Sequence, residues 1–340
     1  MNENELAYCR VDKWHAAGYK GQGIKIAIKE VAGVSSKNWP RYAGCVLDPF
    51  GIRFSEKVDT HQQNVIDTFL LAAPEAEIHL MSDSWMESLQ YCIDNGIDVF
   101  NYSGTGNYTT AEFNALEQKA LDAGVFFVCS AGNDGLNVTD SLTGFSRKKT
   151  WLSVGSVQWG EWDGVVGPYR KAYSSWDRNG DDLDVMGFSD GLRIPSADFA
   201  DGWMGVTGTS FAAPWVVGLI ALWKQKFIAD NKRKPTFFET YKFVIGNAQD
   251  LEAAGYDQKT GHGVLRLPEI EAAAPACDVI EMWSGKTAAL VNGKPQLLHV
   301  APQLIAGRNL VGLRDTFELT GWDVQWDNVQ KKITMTRVRE

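Results

Sequence analysis

Residues 97–130 read IDVFNYSGTGNYTTAEFNALEQKALDAGVFFVCS. The run 97–102 is short and mixes β-branched and aromatic residues, the signature of a strand. Residues 111–123 suit a helix, and Gly124 closes it, because glycine readily takes the left-handed turn that ends a helix. The run 125–130, VFFVCS, is apolar throughout, as a strand buried on both faces should be. Strand, helix and strand at these lengths predict a βαβ unit in a parallel sheet.

The same alternation extends on both sides. IKIAI at 24–28 follows Gly21 and Gly23 and reads as a buried strand entered from a tight turn. Residues 62–72 read as a helix ended by Pro74, 77–81 as a strand, and 86–95 as a helix closed by Gly96. An α/β fold with a mainly parallel sheet and helices on both faces follows. Such sheets bind ligands beyond the carboxyl ends of their strands, so the loops after Ile28, Tyr102 and Ser130 are the places to look. Residues 152–187 carry short strand candidates and many turn residues. Residues 211–226, FAAPWVVGLIALWKQK, are apolar nearly all round and predict a buried helix, and 236–247 predict another.

Composition bounds the function. Of 340 residues, 44% are hydrophobic and 22% charged, a globular balance. The formal charge is −9, which speaks against a nucleic-acid binder that relies on phosphate contacts. Five cysteines, widely spaced and without a C-x-x-C, give neither a disulfide framework nor a zinc site. The start, MNENELAYCRVDKWHAAG, has no basic or apolar signal region. The longest apolar run, Phe211 to Trp223, contains Pro214 and is too short to span a bilayer. A soluble, cytoplasmic protein is expected, with export by another route left open.

The strongest local signal is GTSFAAP at 208–214. Ser210 would sit at the start of the buried helix, where the dipole and free N–H groups favour negative charge near its hydroxyl. Small residues at 212 and 213 permit close backbone approach, and Pro214 is expected in the first turn, where proline is tolerated. A serine before a helix is also an ordinary N-cap.

With its flanks, GTSFAAPWVVGLIAL resembles the nucleophile motif of the subtilisin-like serine proteases, G-T-S-x-A-x-P before an apolar helix. SAGNDG at 130–135 is similar to that family's A-A-G-N-E-G segment, and NYSGTG at 101–106 to its substrate-binding strand. SVGSV (153–157), YSSWDRNGDDLDVMGF (173–188) and TGHGVL (260–265) resemble later landmarks in the same order. The resemblance covers roughly residues 8–270 and implies a three-layer subtilisin-like fold. It implies Ser210 as nucleophile, Asn133 as side-chain oxyanion donor, and His61, in DTHQQNVID, as base. Gln62 and Gln63 stand where the family has glycine and threonine. IAIKEVAG puts Glu30 where the family has the orienting aspartate; Asp48 and Asp59 are the other carboxylates within consideration. The resemblance further implies substrate-binding residues Ser103, Gly104, Thr105, Gly106, Ser130, Ala131, Gly132 and Gly144. Phe145 beside Gly144 suggests a roomy, partly apolar pocket, whereas Asp134 would favour basic side chains. Residues 1–23 leave no room for a folding propeptide ahead of the first strand, nor does the passage to AAPEAEIHL leave room for the family's calcium loop. Asp177, Asn179 and Asp181 mimic a calcium loop, but Phe188 holds the twelfth position, so they read as an acidic turn.

The tail differs. VNGK at 291–294 reads as a hairpin turn, 310–320 as a short helix, and VQWD and KKITMT as strands. From VNGK through GRNLVGLR to VQWD it resembles the copper-amine-oxidase N-terminal-like domain, with Gly312 replacing a proline. With only His299 nearby, no metal ligand set is present, and no cofactor is expected. The expected organisation is a peptidase domain over 1–272, a linker over 273–285 and a small α+β domain over 286–340. The expected function is a bacterial-type serine endopeptidase acting on a peptide or protein substrate, with no nucleic acid and no membrane span. Its C-terminal module would dock a partner or surface. Two alternatives remain: a degenerate pseudoprotease that binds peptides or partners, and an assembly protein in which the peptidase is accessory to the tail.

Overall fold

The computed structural model describes residues 2–340 except 31–33, 35–38, 43, 52–59, 105, 107, 137–143, 179–181, 197–198, 253, 271–276, 284–287, 292–293, 298–303, 306–307, 310–322, 328–331 and 339–340. Two compact units result, Met1–Glu271 and Ala272–Glu340.

In the first unit, α1 (Glu3–Tyr8) and α2 (Val11–Ala16) precede β1 (Lys25–Lys29), α3 (Trp39–Tyr42) and β2 (Val46–Leu47). Alternation follows through α4 (His61–Ala72), β3 (Glu77–Leu80), α5 (Trp85–Asp94), β4 (Val99–Tyr102), α6 (Ala111–Asp122) and β5 (Phe126–Ser130). Side-chain caps start three of these helices: Thr60, Ser84 and Thr110 each accept the N–H three residues on. Next come β6 (Trp151–Trp162), β7 (Val165–Arg170), β8 (Val185–Asp190), β9 (Arg193–Pro195) and β10 (Trp203–Gly205). The unit ends with α7 (Thr209–Asn231), α8 (Phe237–Gly246), β11 (Ala248–Gln249) and β12 (Val264–Leu265).

The main sheet runs β11-β12-β8-β6-β5-β4-β1-β3-β2, with β7 added on β6. Its pairs are parallel except β11 with β12 and β6 with β7. Side chains alternate between two buried faces, as the period of a strand requires. Ile26, Ile28, Phe126 and Val128 enter one core with α4 and α7, whereas Ala27, Phe100, Phe127 and Cys129 enter the other with α5 and α6. This is the expected three-layer, mainly parallel α/β arrangement. In β1, β4 and β5, Lys29 pairs with Tyr102 and Tyr102 with Cys129, so all three strands stop at one edge.

Two local expectations are corrected. Residues 152–187 do not hold only short strands: β6 is 12 residues long and turns back into β7. Pro214 is not in the first turn, because α7 already starts at Thr209. Its missing N–H therefore leaves the Ser210 carbonyl without its usual helical partner.

In the second unit, β13 (Cys277–Trp283), β14 (Ala288–Val291), β15 (Lys294–Leu297), β16 (Leu304–Ile305), β17 (Arg308–Asn309), β18 (Asp323–Asp327) and β19 (Lys332–Val338) follow in order. Five form an antiparallel sheet, β15-β14-β13-β19-β18, and β16 pairs with β17. Val291 of β14 pairs with Lys294 of β15; Asn292 and Gly293 carry the expected turn. Those two residues, and the helix expected at 310–320, lie outside the described residues. Among the described residues no helix is long and apolar enough to cross a membrane.

Candidate active site

Glu30 directly follows β1 and is buried. Its Oε2 lies 2.9 Å from Nδ1 of His61, while Oε1 is buried with no partner. His61 is the first residue of α4, and the Thr60 hydroxyl fixes that start by accepting the Gln63 N–H at 3.1 Å. A carboxylate on Nδ1 keeps the proton there and leaves Nε2 as the basic nitrogen. Burial by itself lowers the His61 pKa, but the hydrogen bond and charge of Glu30 outweigh it and the net shift is upward. Asp48 is not the partner of His61, and Asp59 lies outside the described residues. Gln62 is fully buried and neither of its amide atoms has a partner among the described residues; nothing in the structure explains that choice.

Ser210 stands in the first turn of α7, and its Oγ donates to the Ser103 carbonyl at 3.1 Å. The His61 ring packs against Phe211, with centroids 5.4 Å apart, so the imidazole lies beside the residue that follows Ser210. Among the described residues no hydrogen bond joins His61 to Ser210; in unliganded sites such bonds are often long.

Asn133 is tied to the same turn. Its Oδ1 accepts the Thr209 N–H at 2.8 Å and the Thr209 hydroxyl at 2.9 Å. Two donors on one atom identify it as the oxygen and leave Nδ2 as a free donor. Gly208, buried at φ 125°, passes close by: a Cβ there would lie 3.3 Å from Asn133 Nδ2 and would need a backbone conformation that other residues avoid. The Ser210 N–H, early in α7, has no carbonyl four residues back to bind. The Ser210 N–H and the amide of Asn133, the latter held against Thr209, thus belong to the start of this long helix, its positive end.

Beside them run Ser103, Gly104 and Gly106; Thr105 lies outside the described residues. The Tyr102 ring backs this strand, filling space a side chain at Gly104 would need, 2.8 Å away. Gly144 N–H binds the Gly106 carbonyl at 2.9 Å, which draws Gly144 to the strand. Ser130, Ala131 and Gly132 are buried on the other side. The pocket expectation for Phe145 is corrected. Phe145 is 1% exposed and packs on Trp151 and Trp85, with centroids 4.4 and 4.9 Å away, as part of the second core. Asp134 is exposed.

Sequence reading did not single out Tyr173. Its hydroxyl accepts the Gly208 N–H at 3.0 Å, donates to the buried Asp190 carboxylate, and meets Ser156 Oγ at 2.9 Å. A tyrosine between a strand and SSW carries no local sign of such a contact. The histidines outside the site are otherwise engaged: His79 meets Tyr91 and Glu77, and His15 meets the Ala72 carbonyl. His299 lies outside the described residues. Asp177 is buried and accepts the Asp182 N–H at 2.5 Å; Asn179 and Asp181 lie outside the described residues. Among the described residues no group of three or more His, Cys, Asp or Glu stands ready to hold a metal ion.

A deprotonatable serine, a carboxylate-oriented imidazole and convergent N–H donors are what acyl transfer requires. Comparison with known proteins agrees. The profile of the subtilase family matches residues 71–263, and that of the copper amine oxidase N-terminal domain matches 278–339. Subtilisin DY of Bacillus licheniformis is 24% identical over 238 residues, covering 64% of this chain and 82% of that protein. Subtilisin E of Bacillus subtilis (strain 168) is 26% identical over 230 residues, covering 61% of this chain and 57% of that protein. Among solved structures, a lanthipeptide protease superposes with a TM-score of 0.58 at 20% identity, over 78% of this chain and 92% of its own. The prenylagaramide maturation protease PagA gives 0.59 at 18% identity, over 75% and 95%. These last two establish the fold.

Proposed function

The chain belongs to the subtilase family of serine peptidases, and we propose that it cleaves peptide bonds through an acyl-enzyme on Ser210, using a Glu30-His61-Ser210 triad. The observation that carries this reading is the 2.9 Å contact between Glu30 and Nδ1 of His61. Ser210 Oγ attacks the peptide carbonyl as His61 Nε2 takes its proton. The resulting oxyanion is held by Asn133 Nδ2 and the Ser210 N–H. His61 then gives the proton to the leaving amine as the C–N bond breaks. Water, deprotonated by His61, attacks the ester carbonyl, and Ser210 leaves with the proton. Glu30 stays ionised throughout, orienting the imidazole and stabilising the imidazolium. The acyl half of the substrate would pair with 103–105 as an added strand, with its side chain entering the slot bounded by 130–132 and Gly144.

A second reading is a partner-binding protein without turnover. It is favoured by the Ser210 hydroxyl donating to the Ser103 carbonyl rather than to His61. A fluorophosphonate separates the two. After incubation, intact mass should show one adduct on the native chain and none on Ser210→Ala. No adduct on the folded native chain removes the peptidase reading and leaves the binding one. The proposal includes a reducing, cytoplasmic setting, which the free thiols of Cys9, Cys45, Cys92 and Cys129 suit. It also gives the C-terminal unit a docking role toward a partner or surface.

A further inference from the structure

The sheet does not stop level beside the site. β5 ends at Ser130, paired with Val154 of β6, but β6 continues to Trp162 and returns as β7. Because β5 and β6 are parallel, this extension rises from the same sheet edge as Asn133. Trp162 and Val165 pair across a two-residue turn, Asp163-Gly164, with φ of 50° and 76°. Positive φ at both positions matches the right-handed twist of a hairpin, so this turn is a rigid one. Trp162 stacks on Tyr169 at 5.5 Å, which stiffens the strand pair. Even so, Trp162, Val165 and Val166 are each about two-thirds exposed, at 67%, 69% and 66%. Large apolar side chains held in water on a stiff arm are a mark of a contact surface.

A cavity of ≈ 850 Å³ lies along this arm, bounded by Trp162, Val165, Tyr169, Tyr173, Leu251 and Lys259. That is within the ~300–1,000 Å³ of typical ligand sites. The basic residues of the arm are partly engaged: Arg170 binds the Ser174 carbonyl, and Lys171 binds Gln158 Oε1 at 2.7 Å. The wall combines aromatic and aliphatic side chains with the charged Asp163, Arg170, Lys171, Glu252 and Lys259.

The segment that follows the arm, 173–175, is joined by hydrogen bonds to the Asn133 loop and the Gly208 turn. Gly135 N–H binds the Tyr173 carbonyl at 2.7 Å, and Ser175 N–H binds the Gly132 carbonyl at 2.9 Å. Tyr173, which lines the cavity, also takes the Gly208 N–H through its hydroxyl. The cavity thus shares Tyr173 with the Asn133 loop and the Ser210 turn. With the acyl half of a substrate placed beside Ser103 and Gly104, the Tyr173 side is the one left for its leaving-group half.

We propose that the β6–β7 arm and the Leu251–Lys259 side of this cavity form a subsite for the leaving-group half of a polypeptide substrate, taking apolar or aromatic side chains. This rests on the peptidase reading above. Selection would then depend on residues well past the scissile bond, favouring long substrates over short ones.

The test compares two peptides with the same acyl half, one with a two-residue leaving group and one with six residues carrying Phe and Leu past the second. In the native chain the long peptide should have at least tenfold higher kcat/KM. In Trp162→Ser/Val165→Ser the long-to-short ratio should fall to near one. Trp162→Phe should retain it, and circular dichroism should show both variants folded. A native ratio near one, or a tenfold ratio that survives the double substitution, overturns the subsite. If neither peptide is cut and Ser210 takes no fluorophosphonate, the peptidase reading has failed separately. Fluorescence anisotropy of the same peptides then decides the subsite: tighter binding of the long one, lost in the double variant, supports it. Equal binding overturns it.

Discussion

Glu30 Oε2 meets His61 Nδ1 at 2.9 Å from the position just after β1, with its side chain 5% and that of His61 42% exposed. Glu30 is enclosed and His61 is open, which is the division of labour the proposed triad needs. Because Glu30 raises the His61 pKa, the base protonates at a pH above the ordinary histidine value. Glu30→Gln should lower kcat by about 10⁴. It should also move the acid limb of kcat/KM to lower pH, since the imidazole then stays neutral further into acid. Glu30→Asp keeps the charge but shortens the reach by one methylene, and a misplacement of ~1 Å costs about 10² in rate. A pH–rate profile of both variants checks this; an unmoved acid limb in Glu30→Gln would sink the assignment.

In the proposed mechanism Asn133 has one atom for structure and one for chemistry. Asn133→Asp preserves the acceptor for both Thr209 donors but replaces the free N–H donor by a negative oxygen. The loop should hold, so circular dichroism and KM should change little. The value of kcat should fall by at least ~10²–10³. A loss in KM alone would remove Asn133 from the oxyanion site.

Asp184 predicts a pH-dependent stability unrelated to catalysis. It is fully enclosed, accepts the Ser153 N–H at 2.7 Å and the Tyr241 hydroxyl at 2.8 Å, and burial pushes its carboxyl up to about 7. A raised folded pKa means that the folded chain binds the proton more tightly than the unfolded chain. Its contribution is full below the ordinary value near 4 and is lost as pH rises through 7. The loss is on the order of 4 kcal/mol at most. Urea unfolding at pH 4.5, 6 and 7.5 should show this fall, and Asp184→Asn should flatten it. An equal slope in the variant would assign the dependence elsewhere.

Gly218 is where α7 crosses α4. A Cβ there would lie 2.7 Å from the Ala72 Cβ and 3.2 Å from the Phe69 carbonyl. These helices carry Ser210 and His61, so the crossing sets the distance between the proposed nucleophile and base. Gly218→Ala should destabilise by about 1–3 kcal/mol through overpacking and lower kcat more than it changes KM. Ala72→Gly in the same chain should recover part of both, a coupling that a double-mutant cycle measures. Independent, additive effects would place the strain elsewhere.

Much of this was legible along the chain. The βαβ rhythm of 97–130 emerged within a residue or two, because continuous apolar strands and glycine-stopped helices leave local marks. The Asp163-Gly164 pair between Trp162 and Val165 is also a local hairpin sign, but the reading of short strands over 152–187 missed it, and with it the long β6–β7 arm. Phe145 was misplaced because adjacency to Gly144 says nothing about which way a ring turns. The buried Tyr102 and Trp151 and the partly buried Trp85 draw it into the core instead.

Sequence by itself determined the alternating fold, the buried helix behind Ser210, and which residue types stand at the strand ends, since each depends on neighbours a few positions apart. Tertiary structure decided the rest. It chose Glu30 over Asp48 as the partner of His61, and it turned Asn133 by two bonds from Thr209. It also set Tyr173 against Gly208, 35 residues away. These pairings depend on parallel strands ending at one edge and on two helices in contact. Only the folded chain brings such distant groups within the few ångströms over which hydrogen bonds and charges act.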